Sequence, residues 1–161
     1  YPILVFIILL IIGYSNTKII LERPNESFKL FETIYDSTSY MEYQIYVLNY
    51  TYTSSNGQPF AINSVAYPLY YNGMWAYLYN FYGKKNFSYT PSWLGGNQLH
   101  PYDLLPKSNA DEKIFYMIIS ETARIPDVFK NKGRVWGSEN GGKLLEEKKF
   151  SGFTILKYER P

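Results

Sequence analysis

The first feature of the hydrophobic pattern is an unbroken apolar run near the N-terminus, which is followed by a polar stretch. The run covers residues 2–12 (PILVFIILLII), and Gly13 and Tyr14 extend it. A transmembrane helix takes about 20 residues, so the pattern predicts a truncated span whose helix and exit occupy residues 1–23. Tyr14 suits a membrane interface, and Lys18 can extend its ammonium group to that interface. A buried core element and a signal-peptide apolar region are the alternatives, although the basic flank and cleavage pattern of a signal peptide are missing.

Two helices and a strand are predicted in the next part of the chain. Ser37 or Ser39 can cap the first helix, which is predicted to end at residues 54–57 (SSNG). Residues 59–65 (PFAINSV) are predicted to form a short strand, and residues 68–83 a second helix. Helical spacing relates the apolar positions of each helix, which are Met41, Ile45, Leu48 and Tyr52 in the first and Tyr71, Trp75, Leu78, Tyr79 and Tyr82 in the second.

The last part of the chain begins with a stretch rich in Pro and Gly and ends in alternating apolar segments. Residues 84–110 lack periodicity and are predicted to be a long irregular loop. The apolar run 114–119 (IFYMII) is typical of a central strand that is buried on both faces. A short helix is predicted over residues 125–135. Two strands, 144–150 and 152–158, are expected to pair as an antiparallel hairpin.

This order of elements predicts an α/β fold. We expect an N-terminal transmembrane helix, followed by a small mixed β-sheet that is covered by helices and closes with the antiparallel hairpin. The crossovers between parallel strands should be right-handed. The soluble domain is predicted to cover residues 24–161, because 161 residues suffice for one domain with a core but hardly for two.

Composition narrows the function classes only in part. The net charge is +2 and the basic and acidic residues are interspersed, so no basic stripe indicates nucleic-acid binding. The chain has no cysteine, which excludes disulfides, thiolate nucleophiles and cysteine-ligated zinc. Its 18 tyrosines, with 10 Phe and 3 Trp, suit half-buried sheet faces, membrane interfaces and sugar-stacking surfaces alike.

No catalytic, metal-binding or cofactor-binding constellation is apparent in the sequence. His100 is the only histidine, so neither a histidine pair for a metal nor a catalytic triad is indicated. The adjacent carboxylates at 111–112 and 146–147 point to opposite faces of an extended chain and are expected to be ordinary solvated charges. The glycine pairs at 95–96 and 141–142 lack the context of a phosphate-binding loop.

Aromatic residues offer a weaker candidate, a stacking surface for a glycan or a lipid-linked sugar. Apolar sugar faces pack on aromatic rings, and the hydroxyls need polar neighbours such as Asn97 and Gln98. The alternative is that these rings pack under the long loop or against the membrane. The candidate substrate-binding residues are Tyr67, Tyr70, Tyr71, Asn72, Tyr89, Trp93 and Tyr102.

Four segments carry a resemblance to a known group of enzymes. They are 56–63 (NGQPFAIN), 67–72 (YPLYYN), 75–83 (WAYLYNFYG) and 150–155 (FSGFTI). Together with the N-terminal apolar run, they resemble the C-terminal soluble tail of polytopic GT-C glycosyltransferases, the clan of protein mannosyltransferases and aminoarabinose transferases. The resemblance covers most of the chain and rests on aromatic and glycine positions rather than on one diagnostic motif.

The resemblance implies a parent enzyme that transfers a sugar from a polyprenyl-phosphate donor on the outer side of the cell membrane. Its acidic catalytic residues are expected in an early extracytoplasmic loop that this sequence does not contain, so the domain should be non-catalytic and inactive alone. The implied partners are the lipid bilayer, a polyprenyl-linked sugar or glycan, and the remaining transmembrane part of the parent chain. No cofactor and no nucleic acid are expected. The competing hypothesis is a stand-alone membrane-anchored module that binds a glycan or a protein.

Overall fold

The computed structural model describes residues 2–22, 36–67, 69 and 72–161, and the chain divides into two compact units, Tyr1–Asp36 and Ser37–Pro161. In the first unit, helix α1 spans Pro2–Glu22. The side chains from Val5 to Ile12 are 46–62% exposed. The second half of the helix is more polar, and the Thr17 hydroxyl donates a 2.8 Å hydrogen bond to the carbonyl oxygen of Gly13.

The predicted transmembrane helix at residues 1–23 is not supported. Among the described residues, no helix combines the length and the apolar character that crossing a bilayer requires. The physical reason lies in the composition of α1, because its unbroken apolar run at residues 2–12 is about half of the roughly 20 residues that a span needs.

The described part of the second unit forms one mixed five-stranded sheet with the order β2-β1-β3-β5-β4. The strands are β1 (Phe60–Val65), β2 (Ser92–Trp93), β3 (Ile114–Ser120), β4 (Lys143–Phe150) and β5 (Phe153–Glu159). β1 pairs in parallel with both β2 and β3, whereas β5 pairs antiparallel with β3 and β4. The mixed sheet, the central buried strand β3 and the closing hairpin are therefore confirmed.

Two buried layers cover opposite faces of this sheet, because alternate residues of a strand point to opposite sides. Phe60, Ile62 and Tyr116 belong to the larger layer, together with residues from two helical segments. Those segments are α2 (Met41–Ser54) and a continuous run made of α3 (Gly73–Leu78), a π-helical turn (Tyr79–Gly83) and α4 (Lys84–Phe87). Ala61 and Phe115 point to the smaller layer, which helix α5 (Asp127–Glu139) covers.

The helix boundaries differ from the predictions in two places. Ser37 and Ser39 lie in a short 3-10 turn, and Tyr40 occupies the N-cap of α2 without a side-chain cap, so the predicted serine cap is wrong. Gly83 does not end the second core helix, which continues to Phe87 and stops where Ser88 has a φ of 69°. The predicted start of that helix, Pro68, lies outside the described residues.

The predicted loop at residues 84–110 contains two regular elements that the sequence pattern did not indicate. Its first four residues continue the second core helix as α4. Ser92 and Trp93 form β2, the short edge strand that pairs with β1. Trp93 also forms an isolated bridge with Lys107, so the loop returns to the edge of the sheet. This return places the loop residues after β2 close to the ends of the parallel strands.

Candidate functional site

The predicted aromatic surface does not form one surface among the described residues. Asn72 and Trp93 line the same cavity. Tyr89 lies elsewhere, because its ring stands edge-on to the ring of Tyr52 and its hydroxyl donates to the carbonyl oxygen of Gln58 at 3.2 Å.

The other predicted aromatic residues also lie apart from this cavity or outside the described part of the chain. Tyr67 is exposed, and the guanidinium carbon of Arg124 lies 5.5 Å from its ring centroid. The ring of Tyr102 packs on Gly73 at the start of α3. Tyr70 and Tyr71 lie outside the described residues.

The cavity that holds Asn72 and Trp93 lies between β1, the segments that follow β1 and β2, and helix α5. Its volume is about 540 Å³, within the range of about 300–1,000 Å³ that is typical of small-molecule sites. We call it the β1–α5 pocket. It is lined by Asn63, Ser64, Val65, Leu69, Asn72, Trp93, Gly96, Asn97, Met117, Phe129, Lys132, Gly133 and Trp136. The pocket therefore lies at the carboxyl ends of β1 and β2, where open α/β sheets bind their ligands.

The strands contribute an amide and an indole to the pocket. Asn63 lies on β1 and points to the same face of the sheet as Ala61 and Val65. Its Oδ1 accepts a 2.8 Å hydrogen bond from the backbone N–H of Ser64. Trp93 ends β2, and its Nε1–H donates to the carbonyl oxygen of Gly96 at 2.8 Å. These bonds fix both side chains but leave the Asn63 Nδ2 group without a partner among the described residues, so this amide can donate to a ligand.

A chain of amide hydrogen bonds holds the loop wall of the pocket. The buried Asn72 donates from Nδ2 to Oε1 of Gln98 at 2.9 Å. Gln98 in turn donates from Nε2 to the carbonyl oxygen of Leu105 at 2.6 Å. The loop that carries Asn97 is therefore tied both to the start of α3 and to the segment that precedes β3.

Helix α5 closes the pocket with residues from one face. Phe129, Lys132 and Trp136 follow each other at helical spacing. Gly133 lets the helix approach the sheet closely, because a Cβ at that position would lie 2.9 Å from Cγ2 of Val65. Trp136 stands edge-on to Phe115, with ring centroids 6.0 Å apart and an interplanar angle of 86°. The indole is thus supported from the sheet while it lines the pocket.

The lining residues can bind a ligand but offer little for acid–base chemistry. Their polar side chains include three Asn amides, the indoles of Trp93 and Trp136 and one Lys ammonium, whereas Ser64 alternates with Asn63 along β1 and points to the other face of the sheet. Neither a carboxylate nor an imidazole is among the described lining residues, so Lys132 is the one ionisable side chain among them. In the described part of the chain, no group of three or more His, Asp or Glu residues could hold a metal ion.

The remaining acidic and histidine candidates of the sequence lie outside the pocket. His100 is solvent-exposed, with its Nδ1 3.4 Å from the carboxylate of Asp103. Glu112 is not an ordinary solvated charge as predicted, because its side chain is only 16% exposed and accepts hydrogen bonds from the hydroxyls of Ser92 and Ser108. Burial alone would raise the pKa of Glu112, but these hydrogen bonds, with the charge of Arg160, lower it below the usual value. The hydrogen bonds of Glu112 therefore connect β2 to the segment that precedes β3.

The pocket residues on β1 and α5 were not among the predicted candidates. Asn63 is one of two polar residues in the predicted strand 59–65. Lys132 lies on the predicted helix 125–135 and Trp136 follows it directly, but nothing in the sequence showed that this helix packs over the end of β1. The packing of α5 on β1 depends on the tertiary structure and not on a local sequence pattern.

Comparison of the chain with models of known protein families, with curated proteins and with solved structures gave no match.

Proposed function

We propose that the α/β domain is a non-catalytic carbohydrate-binding domain and that its binding site is the β1–α5 pocket. The observation that carries this proposal is the pairing of two indoles, Trp93 and Trp136, with the amides of Asn63, Asn72 and Asn97 around one cavity. The apolar C–H face of a sugar packs on an aromatic ring, and its hydroxyls exchange hydrogen bonds with amides that can both donate and accept.

The chemistry of the lining favours binding over hydrolysis. Glycoside hydrolysis uses a pair of carboxylates that flank the scissile bond, and the described lining residues include no carboxylate. Lys132 is the one ionisable side chain among them, and an ammonium group can pair with an acidic substituent of a bound sugar. A ligand in this pocket is therefore held and oriented, and its chemistry is left to another part of the protein.

The resemblance to GT-C glycosyltransferases supplies a context for such a site. In that context the chain is the C-terminal soluble domain of a polytopic transferase, located on the extracytoplasmic side of the cell membrane. The pocket would hold a sugar of the polyprenyl-phosphate donor or of the acceptor, and membrane attachment would come from the remaining transmembrane part of the parent. Asn63 and Asn72 fall within the segments that carry the resemblance, which supports a link between the two inferences.

A second candidate function is a stand-alone, membrane-associated glycan-binding module. It is favoured by the position of the described lining residues, which all lie between Asn63 and Trp136 within the one chain. The two functions differ in what precedes Tyr1 in the gene. Several apolar spans with an acidic outer loop indicate the transferase, and an initiator methionine with a short basic flank indicates the module.

Sugar binding is tested by titrating the full chain with monosaccharides and short oligosaccharides, including mannose and arabinose, and following tryptophan fluorescence and calorimetric heat. We expect saturable binding, and we expect Trp136→Ala or Asn63→Ala to raise Kd by about tenfold or more, which corresponds to about 1.4 kcal/mol. Val135→Ala is the matched control, because Val135 is the exposed neighbour of Trp136 on α5 and does not line the pocket. Absence of binding to every sugar, or binding that both pocket variants retain unchanged, would refute the proposal.

A further inference from the structure

A second surface of the domain combines exposed aromatic rings with lysines. Tyr77 on α3 and Phe81 in the π-helical turn are 53% and 55% exposed, and their ring centroids lie 4.6 Å apart. Lys84 and Lys85 are exposed in the next turn. We call these four residues the aromatic–lysine face. These four residues are not part of the core. The helical run contributes other residues to the larger buried layer, namely Trp75, Ala76, Leu78 and Tyr79.

The charge pattern along the part of the sequence that contains this face is one-sided. From Tyr43 to Tyr102 the sequence contains no Asp or Glu, and Lys84 and Lys85 are the only Lys or Arg residues in that stretch. Neither lysine forms an ion pair with another described residue. Two unpaired cations therefore stand beside two exposed rings, in a stretch that carries no carboxylate to repel an anionic surface.

We propose that the aromatic–lysine face docks into the headgroup region of a lipid bilayer that contains anionic lipids. Tyr and other amphipathic aromatic rings concentrate at membrane–water interfaces, where the ring is shielded and the hydroxyl stays hydrated. Lysines near an anionic leaflet add electrostatic attraction, and the strength of interfacial binding increases with both the buried apolar area and this attraction.

The charge of the face favours lipid over a protein partner. Its uniform positive charge complements an anionic lipid surface without further polar groups that would fix a specific partner. This inference is independent of the β1–α5 pocket, because the two sites share no residue.

The experiment needs a readout that is specific to position, since the exposed apolar side chains of α1 can bring the whole chain to vesicles by themselves. The absence of cysteine allows a single nitroxide label at any chosen site. We would compare the full chain carrying Phe81→Cys with the chain carrying Val135→Cys, an exposed position on α5. Vesicles of phosphatidylcholine alone, and of phosphatidylcholine with phosphatidylglycerol, provide the neutral and anionic surfaces.

With anionic vesicles, we expect the label at position 81 to become accessible to oxygen and protected from a water-soluble nickel complex, while the label at 135 stays accessible to the complex. Lys84→Gln with Lys85→Gln should lower the protected fraction at position 81 and remove its dependence on phosphatidylglycerol. Equal exposure of both labels to water on vesicles would overturn the proposal. Immobilisation of the label at 81 without lipid, increasing with protein concentration, would also overturn it, because a second copy would then cover the face.

Cosedimentation gives a second measurement. Tyr77→Ser with Phe81→Ser should lower the partition coefficient on anionic vesicles at least about tenfold at a fixed salt concentration, because two rings no longer bury apolar surface in the interface. Tyr46→Ser serves as the control, because Tyr46 is an equally exposed tyrosine on α2. Circular dichroism should be unchanged in all these variants, since the replaced side chains are solvent-exposed. An equal loss in the control variant would show that the rings act non-specifically and would contradict docking by this face.

Discussion

The rings of Tyr52 and Phe87 stack with their centroids 4.1 Å apart and their planes 4° from parallel. The Tyr52 hydroxyl donates a 2.6 Å hydrogen bond to the carbonyl oxygen of Tyr89, and the same ring stands edge-on to Phe60 at 5.1 Å. Tyr52 therefore joins α2, the end of α4 and β1. The contact also explains why Gly83 lies within the helical run, because a Cβ at Gly83 would lie 2.6 Å from the Tyr52 hydroxyl.

Truncation of Tyr52 should destabilise the domain strongly. Tyr52→Ala removes a buried aromatic ring from the larger layer and is expected to lower the free energy of unfolding by about 3–5 kcal/mol. Tyr52→Phe keeps the ring and loses only the hydrogen bond to Tyr89, so it should cost about 1 kcal/mol. Urea denaturation followed by circular dichroism measures both values. Equal effects of the two variants would show that the ring packing contributes little.

Alkaline pH should destabilise the fold through its buried tyrosines. Burial raises the pKa of Tyr116 to about 12, although the hydrogen bond with Ser54 opposes the shift. Burial also raises the pKa values of Tyr52 and Tyr79. In the unfolded chain a tyrosine loses its proton near pH 10. The stabilisation is therefore complete below about pH 10 and is lost as the pH rises towards 12, because the folded state holds protons that the unfolded state has released.

Urea denaturation at several values between about pH 8 and pH 11 tests this linkage. Tyr116→Phe should show a weaker fall in stability with pH, since one of the retained protons is removed. Tyr77→Phe is the matched control, because it makes the same substitution at an exposed tyrosine on α3. A wild-type slope that equals the Tyr116→Phe slope would contradict the assignment.

Strand β3 and the β4–β5 hairpin could be predicted from the sequence because their signals are local, whereas the edge strand β2 lies in the predicted loop. The continuous apolar run of β3 specifies a strand that is buried on both faces, and the Ser151–Gly152 turn between β4 and β5 specifies the hairpin. The second core helix was predicted to stop at Gly83 because glycine is a common helix terminator. The structure uses that glycine for the close approach of Tyr52, a long-range contact that no local pattern contains.

The β1–α5 pocket was harder to predict for the same reason. Asn72 and Trp93, two of the predicted candidates, line this one cavity, but the other lining residues come from elements far along the chain. Trp136 reaches the pocket only because α5 packs on the smaller layer through Gly133. Tyr89 packs against the larger layer instead of lining the pocket, and no local pattern separates a tyrosine that packs in a core from one that lines a cavity.

Acid should weaken the hydrogen bonds through which Glu112 connects β2 to the segment that precedes β3. The net pKa of Glu112 is lowered in the folded state, so its contribution to stability is present above the unfolded pKa of about 4.3 and is lost as the pH falls through the folded pKa. Glu112→Gln keeps the shape but weakens the charge-assisted hydrogen bonds from Ser92 and Ser108, and should cost about 1–2 kcal/mol at pH 7.

The measurement is the urea midpoint of wild type and Glu112→Gln at neutral pH and at about pH 3. The difference between the two proteins should shrink in acid, because the wild-type carboxylate is then partly protonated. Glu139→Gln, at the exposed end of α5, should differ from wild type by less than about 0.5 kcal/mol at both pH values. A Glu112→Gln deficit that is the same at both pH values would assign the effect to packing instead of charge.

Lys132 should determine whether the β1–α5 pocket prefers an anionic sugar. It is the one ionisable side chain among the described lining residues, and its exposed position implies an interaction of about 0.2–1 kcal/mol with a ligand anion. Lys132→Gln should therefore raise Kd for mannose 1-phosphate about two- to fivefold and leave Kd for mannose unchanged, as measured by calorimetry. Lys148→Gln on β4, outside the pocket, should change neither value. Added salt should weaken the binding of mannose 1-phosphate to wild type and have little effect on its binding to Lys132→Gln, because salt screens only the interaction between the ammonium and the phosphate. An equal loss for both sugars would assign Lys132 a packing role, and no loss for either would place the sugar away from the α5 wall.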